Sequence, residues 1–300
     1  MLKYNLEFLF VGLILGSLFL TRPDDGGLPA EVVRKTVRES PNYDKKEVLL
    51  AEAAVSSLPR LDSWKKEADV EAFSFIGADL ASGEIVLGQS ENKRWPIASL
   101  TKLMTALVVV EEFDLTVSVQ ISEKALATEG LSGNLKAGEE YRTLDLLKLM
   151  LLVSSNDSAQ ALAEFYGEKK FVERMNAKAR ELGMNETNFS DSTGLSSLNQ
   201  STANDVKKLV ARLASGYPKI FSLTAGKETV VKGKTFKNLH KFAGRKNFLG
   251  GKTGYLDEAK RNLVSLFLMP DGEKMIFVVL GSSDNFGDTE RLLAKVNGHP

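Results

Sequence analysis

Between Trp95 and Val108 the chain passes from an extended entry into a helix that must be buried. Pro96 fixes its own φ and turns the residue before it toward extended backbone. Leu100, Leu103, Met104, Leu107 and Val108 then recur at helical spacing, which predicts a buried helix from about Ser99 to Phe113. Ser99 falls at the start of that helix, where backbone N–H groups lack intrahelical partners and stabilise developing negative charge. Lys102 stands one turn further along the same face. An amine there that has lost its proton can accept one from the Ser99 hydroxyl. The tetrapeptide alone also has a bland reading, a helix cap followed by a solvated lysine. Ser-x-x-Lys recurs at Ser63–Lys66 and Ser90–Lys93, where nothing suggests chemistry.

The rest of the body must cover this helix. Glu71 to Asp79 and Glu84 to Gly88 read as a hairpin around Ala81-Ser82-Gly83, and Val117 to Ile121 as a short strand. Thr143 to Leu152 is strongly apolar and helical, and breaks at Val153-Ser154-Ser155-Asn156. Further helices are predicted at about Asp157 to Tyr166, Glu168 to Leu182 with Gly183 as its stop, and Asn204 to Leu213. Strands return at Thr229 to Lys232, Leu249 to Tyr255, Asn262 to Met269 and Lys274 to Gly281, before a closing helix from Asp288 to Val296. Strands at both ends and helices between them predict an α+β fold. One antiparallel sheet packs with helices, and the central helices form an inserted lobe against it.

Absences narrow the chemistry. The 300 residues contain no cysteine, which removes thiol nucleophiles, disulfides and cysteine metal sites. The two histidines are His240 and the penultimate His299, so a serine–histidine pair could use only His240, and no metal site or cofactor is expected. A hydrolase built from this chain calls for lysine or a carboxylate as its base. The net charge is zero, and no clustered basic surface points to nucleic acid.

Phe8 to Leu20 (FLFVGLILGSLFL) is almost wholly apolar and follows Lys3 and Glu7. It is shorter than the roughly twenty residues of a full membrane span. No small-x-small cleavage site follows; the exit reads Thr21-Arg22-Pro23-Asp24. Residues 1–22 are therefore expected to be an export segment, an uncleaved anchor in preference to a cleaved signal. Residues 23–68, rich in charge and carrying Pro23, Pro29, Pro41 and Pro59, read as a spacer, and residues 69–300 as the folded body. Either export reading puts that body outside the cytoplasm.

Two further motifs follow Ser99-Leu100-Thr101-Lys102. Ser154-Ser155-Asn156 lies at the break between two apolar helices, where a hydroxyl and an amide can project into a cleft. Ser-x-Asn is common here, at Ser40, Ser90, Ser132, Ser197 and Ser283, and an ordinary helix cap explains it equally well. Lys252-Thr253-Gly254 occurs once, after Gly250-Gly251 and at a strand. Its lysine and hydroxyl can hold a substrate carboxylate, and Gly254 leaves room for close approach. The alternative is a glycine-rich turn with a solvated lysine.

In their order and spacing the three motifs resemble the serine-type D-Ala-D-Ala carboxypeptidases, the low-molecular-mass penicillin-binding enzymes. Flanking stretches agree: Pro96-Ile97-Ala98, Leu135 to Glu139, Ser154 to Asp157 with Ala159 and Ala161, and Ser192 to Leu195. The likeness runs from about residue 70 to 285. It implies Ser99 as acylated nucleophile, Lys102 as its base, and Ser154 as proton relay toward the leaving amine. Asn156 would orient Lys102 and bind the substrate backbone, while Lys252 and Thr253 would hold the terminal carboxylate. The backbone N–H groups of Ser99 and Tyr255 would form the oxyanion hole. A buried Lys102 near Lys252 is expected to have its pKa lowered by desolvation and by like charge. The implied partners are peptidoglycan stem peptides, β-lactams as inhibitors, and the membrane through the N-terminal segment.

The chain departs from the family pattern after Lys-Thr-Gly, where Leu256 and Ala259-Lys260 stand. These changes bear on the substrate edge and its specificity. It also ends soon after the last predicted helix, without the C-terminal domain of larger members, which fits an amino-terminal anchor. Cleavage of a terminal D-Ala and of D-Ala cross-links both remain open. So does a serine β-lactamase, because Glu181-Leu182-Gly183-Met184-Asn185 mimics the deacylation motif of one class. A wall-binding protein on a retired peptidase fold is the third reading.

Overall fold

A computed structural model describes residues 70–298. The expected anchor, the spacer and His299 lie outside the described residues. Among those described, no helix is long and apolar enough to cross a membrane.

The chain opens with strands β1 (Ser74–Asp79), β2 (Ile85–Gln89) and the two-residue β3 (Trp95–Pro96). After a 3-10 turn at Ala98–Leu100 comes helix α1 (Thr101–Glu112), then β4 (Ser118–Gln120), the short α2 (Glu123–Leu126) and β5 (Glu140–Arg142). The helical lobe follows as α3 (Thr143–Leu152), α4 (Asn156–Tyr166) and α5 (Glu168–Glu181). Beyond it lie β6 (Gln200–Ser201), α6 (Ala203–Gly216), α7 (Pro218–Ala225), β7 (Glu228–Val231) and β8 (Lys234–Lys237). Strands β9 (Phe248–Leu256), β10 (Lys260–Leu268) and β11 (Lys274–Ser282) and helix α8 (Asn285–Val296) complete the body.

Five strands form one antiparallel sheet in the order β2-β1-β11-β10-β9. The first strands of the chain thus pair with the last one, and β9 is left as an edge. β11 shows why its run is apolar throughout. Ile276, Val278 and Leu280 join the core of the helical lobe, while Met275, Phe277 and Val279 face a second cluster with Phe242, Phe248, Phe267 and Leu292 of α8. Side chains alternate across a strand, so a sheet covered on both faces needs apolar residues at every position.

Helix α1 runs through the main core, buried from Thr101 to Val109. Leu103, Met104, Leu107 and Val108 each contribute roughly 2 kcal/mol by leaving water. The short ribbon of Trp95 with Ser201 and Pro96 with Gln200 ties the approach to α1 to the chain entering α6. Two side chains clamp the same approach: Trp95 Nε1 donates to the Ala259 carbonyl at 2.8 Å, and Asn262 Nδ2 to the Pro96 carbonyl at 3.0 Å.

The α+β architecture and central helical lobe agree with the sequence. Short α2, α7, β5, β6 and β8 were not predicted. α7 starts at Pro218 directly after α6, and β8 is a four-residue partner to β7, with charged and polar residues at all positions but Phe236.

Candidate active site

Three local structures build the site. The first is the 3-10 turn before α1. Ile97 caps it without a side-chain hydrogen bond, and Ala98 takes φ 48. Ser99 is therefore no helix cap; it is a half-buried hydroxyl one step ahead of a buried helix. The second is the break between α3 and α4. Here Ser155 does the capping, accepting from the Ser158 N–H at 3.0 Å. Its neighbour Ser154 takes φ 58 and is freed from that task. The third is edge strand β9. A Cβ on Gly254 would stand 2.9 Å from the Ile97 carbonyl oxygen and 3.2 Å from the backbone nitrogens of Ser99 and Leu100. Only glycine lets the strand lie this close to the turn.

The side chains from these structures meet around two buried amines. Lys102 is fully buried and its Nζ lies 2.9 Å from Ser99 Oγ. The same Nζ donates to Asn156 Oδ1 at 2.6 Å and to the Thr193 carbonyl. Asn156 Nδ2 donates to the Glu129 carbonyl at 2.7 Å, which turns its oxygen toward the amine. Lys252, 1% exposed, donates to Ser154 Oγ and to the Thr253 carbonyl, each at 2.9 Å. Ser154 and Asn156 are buried, and Thr253 is partly exposed. Tyr255 is exposed, and its hydroxyl donates to Asp257 at 2.6 Å.

Burial pushes the Lys102 amine down to about 7, against the opposing pull of Asp191 and Asp157. Lys252 is held well below its ordinary value, first by burial and then by the charge of Lys102. The expected like-charge effect thus falls on Lys252, and desolvation alone lowers Lys102. A proton on Lys102 thus makes it costly for Lys252 to carry one.

The structure brings Ser99, Lys102, Ser154, Asn156, Lys252, Thr253 and Gly254 together, and Tyr255 follows Gly254 in the same strand. His240 is elsewhere. It is buried among Phe242, Phe248 and Phe286, with Nε2 3.1 Å from the Val264 carbonyl oxygen. Burial takes its pKa down to about 3, and the serine that its Nε2 meets is Ser265, at 3.3 Å, not Ser99. Glu181 ends α5 in ion pairs with Arg174 and Lys178, both at 2.6 Å. Leu256 and Lys260 are paired across the end of the β9–β10 hairpin, and Ala259 supplies the carbonyl that holds Trp95. Among the described residues, no group of three or more His, Asp or Glu could hold a metal ion.

The carbonyls of Thr193 and Glu129 were missed by the sequence reading, because a main-chain acceptor has no residue type. Gly194 was the available signal: a Cβ there would fall 2.1 Å from the Ala98 carbonyl oxygen.

A family model described as D-alanyl-D-alanine carboxypeptidase matches residues 62–284. The chain is 32% identical over 239 residues to a D-alanyl-D-alanine endopeptidase of Escherichia coli, covering 75% of this chain and 76% of that one. It is 31% identical over 252 residues to a D-alanyl-D-alanine carboxypeptidase of Bacillus subtilis, covering 79% of this chain and 64% of that one. The crystal structure of a D-alanyl-D-alanine carboxypeptidase from Mycobacterium tuberculosis superposes with a TM-score of 0.72 at 28% identity, covering 77% and 93% of the two chains. A penicillin-binding protein from Listeria monocytogenes, solved in its ampicillin-bound form, gives 0.69 at 28% identity, with coverage of 75% and 97%.

Proposed function

The chain belongs to the D-alanyl-D-alanine carboxypeptidase family and is a serine D-Ala-D-Ala peptidase, and from that premise we propose how its own residues do the work. The carrying observation is the environment of Lys102. A neutral amine has two N–H bonds and one lone pair. Asn156 Oδ1 and the Thr193 carbonyl can only accept, so they take both N–H bonds. The lone pair is left for the Ser99 hydroxyl at 2.9 Å.

Ser99 Oγ then attacks the carbonyl carbon between the two D-Ala residues while its proton passes to Lys102. The backbone N–H groups of Ser99 and Tyr255 receive the oxyanion. As the C–N bond breaks, Ser154 gives its proton to the leaving amine and is reprotonated by the one Lys102 took from Ser99, so the base is free again and the substrate chain stays on Ser99 as an ester. Water hydrolyses that ester. Lys252 and Thr253 hold the carboxylate of the departing residue. A bound carboxylate favours the charged form of Lys252, and that charge in turn keeps Lys102 neutral.

The same chemistry serves a terminal D-Ala and a D-Ala cross-link; only the group beyond the cut differs. A β-lactam would acylate Ser99 in the same way. Fast release of that adduct needs a further base. Glu181 is engaged by Arg174 and Lys178, and among the described residues no carboxylate hydrogen-bonds Ser99 or Lys102. The drug adduct is therefore expected to persist, which argues against a β-lactamase. The catalytic body works outside the cytoplasm on peptidoglycan, with the N-terminal apolar segment as its anchor.

Intact-protein mass spectrometry after incubation with benzylpenicillin tests this reading. A lasting adduct is expected, absent from Ser99→Ala. Rapid drug loss without an adduct would favour the β-lactamase. Neither adduct nor drug loss in folded protein would leave a binding protein. Digestion of monomeric and cross-linked muropeptides then assigns the preferred cut.

A further inference from the structure

Two acceptors fix the protons of Lys102. One of them, the Thr193 carbonyl, sits on a loop with no regular structure of its own. A single carboxylate organises that loop. Asp191 Oδ1 accepts from the Thr193 N–H at 2.7 Å, the Thr193 hydroxyl at 2.7 Å and the Gly194 N–H at 2.6 Å. Its Oδ2 accepts from the Ser196 N–H at 2.9 Å and from Asn199 Nδ2 at 2.7 Å. Asn199 in turn uses its carbonyl to accept the Ile97 N–H at 2.9 Å, two residues before Ser99. One side chain thus gathers five donors and links the nucleophile turn to the acceptor that faces the base.

We infer that Asp191 is a positioning residue of the reaction: it folds the 191–199 loop so that the Thr193 carbonyl meets Lys102, and it places a fixed negative charge behind that carbonyl. The inference rests on Lys102 acting as the base. An amide at position 191 could not do the same, because it offers one acceptor oxygen and presents an NH2 group to donors. Burial raises the Asp191 carboxyl, but hydrogen bonds from Thr193, Ser196 and Gly194 outweigh it and hold the group ionised. The charged groups that act on Lys102 are Asp191 from this loop and Asp157 from α4, and the titratable amine of Lys252 from β9 stands near it, held well below its ordinary value. The two carboxylates favour the ammonium and oppose the burial that lowers it, so Asp191 keeps the base from becoming too weak to take the serine proton.

The test is the rate of acylation by benzylpenicillin as a function of pH in the full chain, for the wild type, Asp191→Asn, Asp191→Glu and Ser99→Ala. Asp191→Asn should lower the plateau by about tenfold or more, and move the acidic limb downward by about one pH unit, because the lost charge no longer favours the ammonium. Asp191→Glu keeps the charge and displaces the oxygens, so its plateau should fall while its limb stays. A wild-type plateau in Asp191→Asn, or a lowered plateau with an unmoved or raised limb, overturns the inference. If Asp191→Asn does not fold, Asp191→Glu decides alone: a lowered plateau with the wild-type limb supports the inference, and a wild-type rate or a shifted limb overturns it. An adduct on Ser99→Ala would instead remove the reading of the site itself.

Discussion

At the scale of single residues, a lysine can act as a base near neutral pH only if something weakens its hold on the proton. Desolvation does that for Lys102, bringing it to about 7. Below that pH the amine is protonated and cannot accept from Ser99; above it the base is free. Acylation should therefore rise with pH through a limb near 7, read as kcat/KM or as the rate of drug adduct formation. Asn156→Asp supplies a check of opposite sign to the loss of Asp191. A carboxylate at the position of Asn156 Oδ1, now 2.6 Å from Nζ, favours the ammonium and should move the limb upward by at least about one pH unit. A limb unmoved by that change would mean that some other group sets it. The side chains of the site were legible because the chemistry demands particular residue types at element boundaries, as with Ser99 and Lys102 across one helical turn. The part played by Asp191 was not. Its ligands are mostly backbone N–H groups, which exist at every position and become significant only when a loop folds.

At the scale of elements, the site depends on how closely edge strand β9 approaches the Ile97–Leu100 turn. Gly254→Ala puts a methyl 2.9 Å from the Ile97 carbonyl oxygen, and the strand must retreat. Retreat separates the Ser99 and Tyr255 N–H groups that would share the oxyanion. Acylation should fall on the order of a hundredfold while the circular dichroism spectrum stays native. An unchanged rate would place the oxyanion donors elsewhere. Element type was legible wherever a period was long enough. The apolar run of α3 was recovered from Thr143 to Leu152 without error, and β11 announced itself by its β-branched content. The 3-10 turn at Ala98–Leu100 read as the first turn of α1, because its apolar spacing runs on unbroken into the helix. β8 and α7 were invisible for the opposite reason: each is short and set by the partner it packs on, β7 in one case and β9 in the other.

At the scale of the whole molecule, the two faces of the sheet answer differently to acid. His240 stays neutral in its aromatic cluster down to about pH 3, whereas an unfolded histidine titrates near 6.5. The unfolded chain therefore binds a proton first, and stability falls as pH drops from about 6.5 toward 3, by roughly 5 kcal/mol across the window. His240→Gln should flatten the dependence of Tm on pH over that range, and an equally steep curve would assign the acid sensitivity to other groups. On the same face, Leu292→Ala leaves a hole between α8 and the sheet and should cost about 2–5 kcal/mol in denaturant unfolding, with acylation per folded molecule retained. The fold also holds stress where it reacts. Left-handed backbone is routine at an exposed hairpin tip such as Lys232, but Ala98 and Ser154 adopt it while buried, one before the nucleophile and one against Lys252. Each such residue costs on the order of 1 kcal/mol or more, and the surrounding packing must supply it. A library of variants screened only for heat resistance would therefore relax these two turns and collect durable, idle proteins; a screen that also demands turnover would keep them tense.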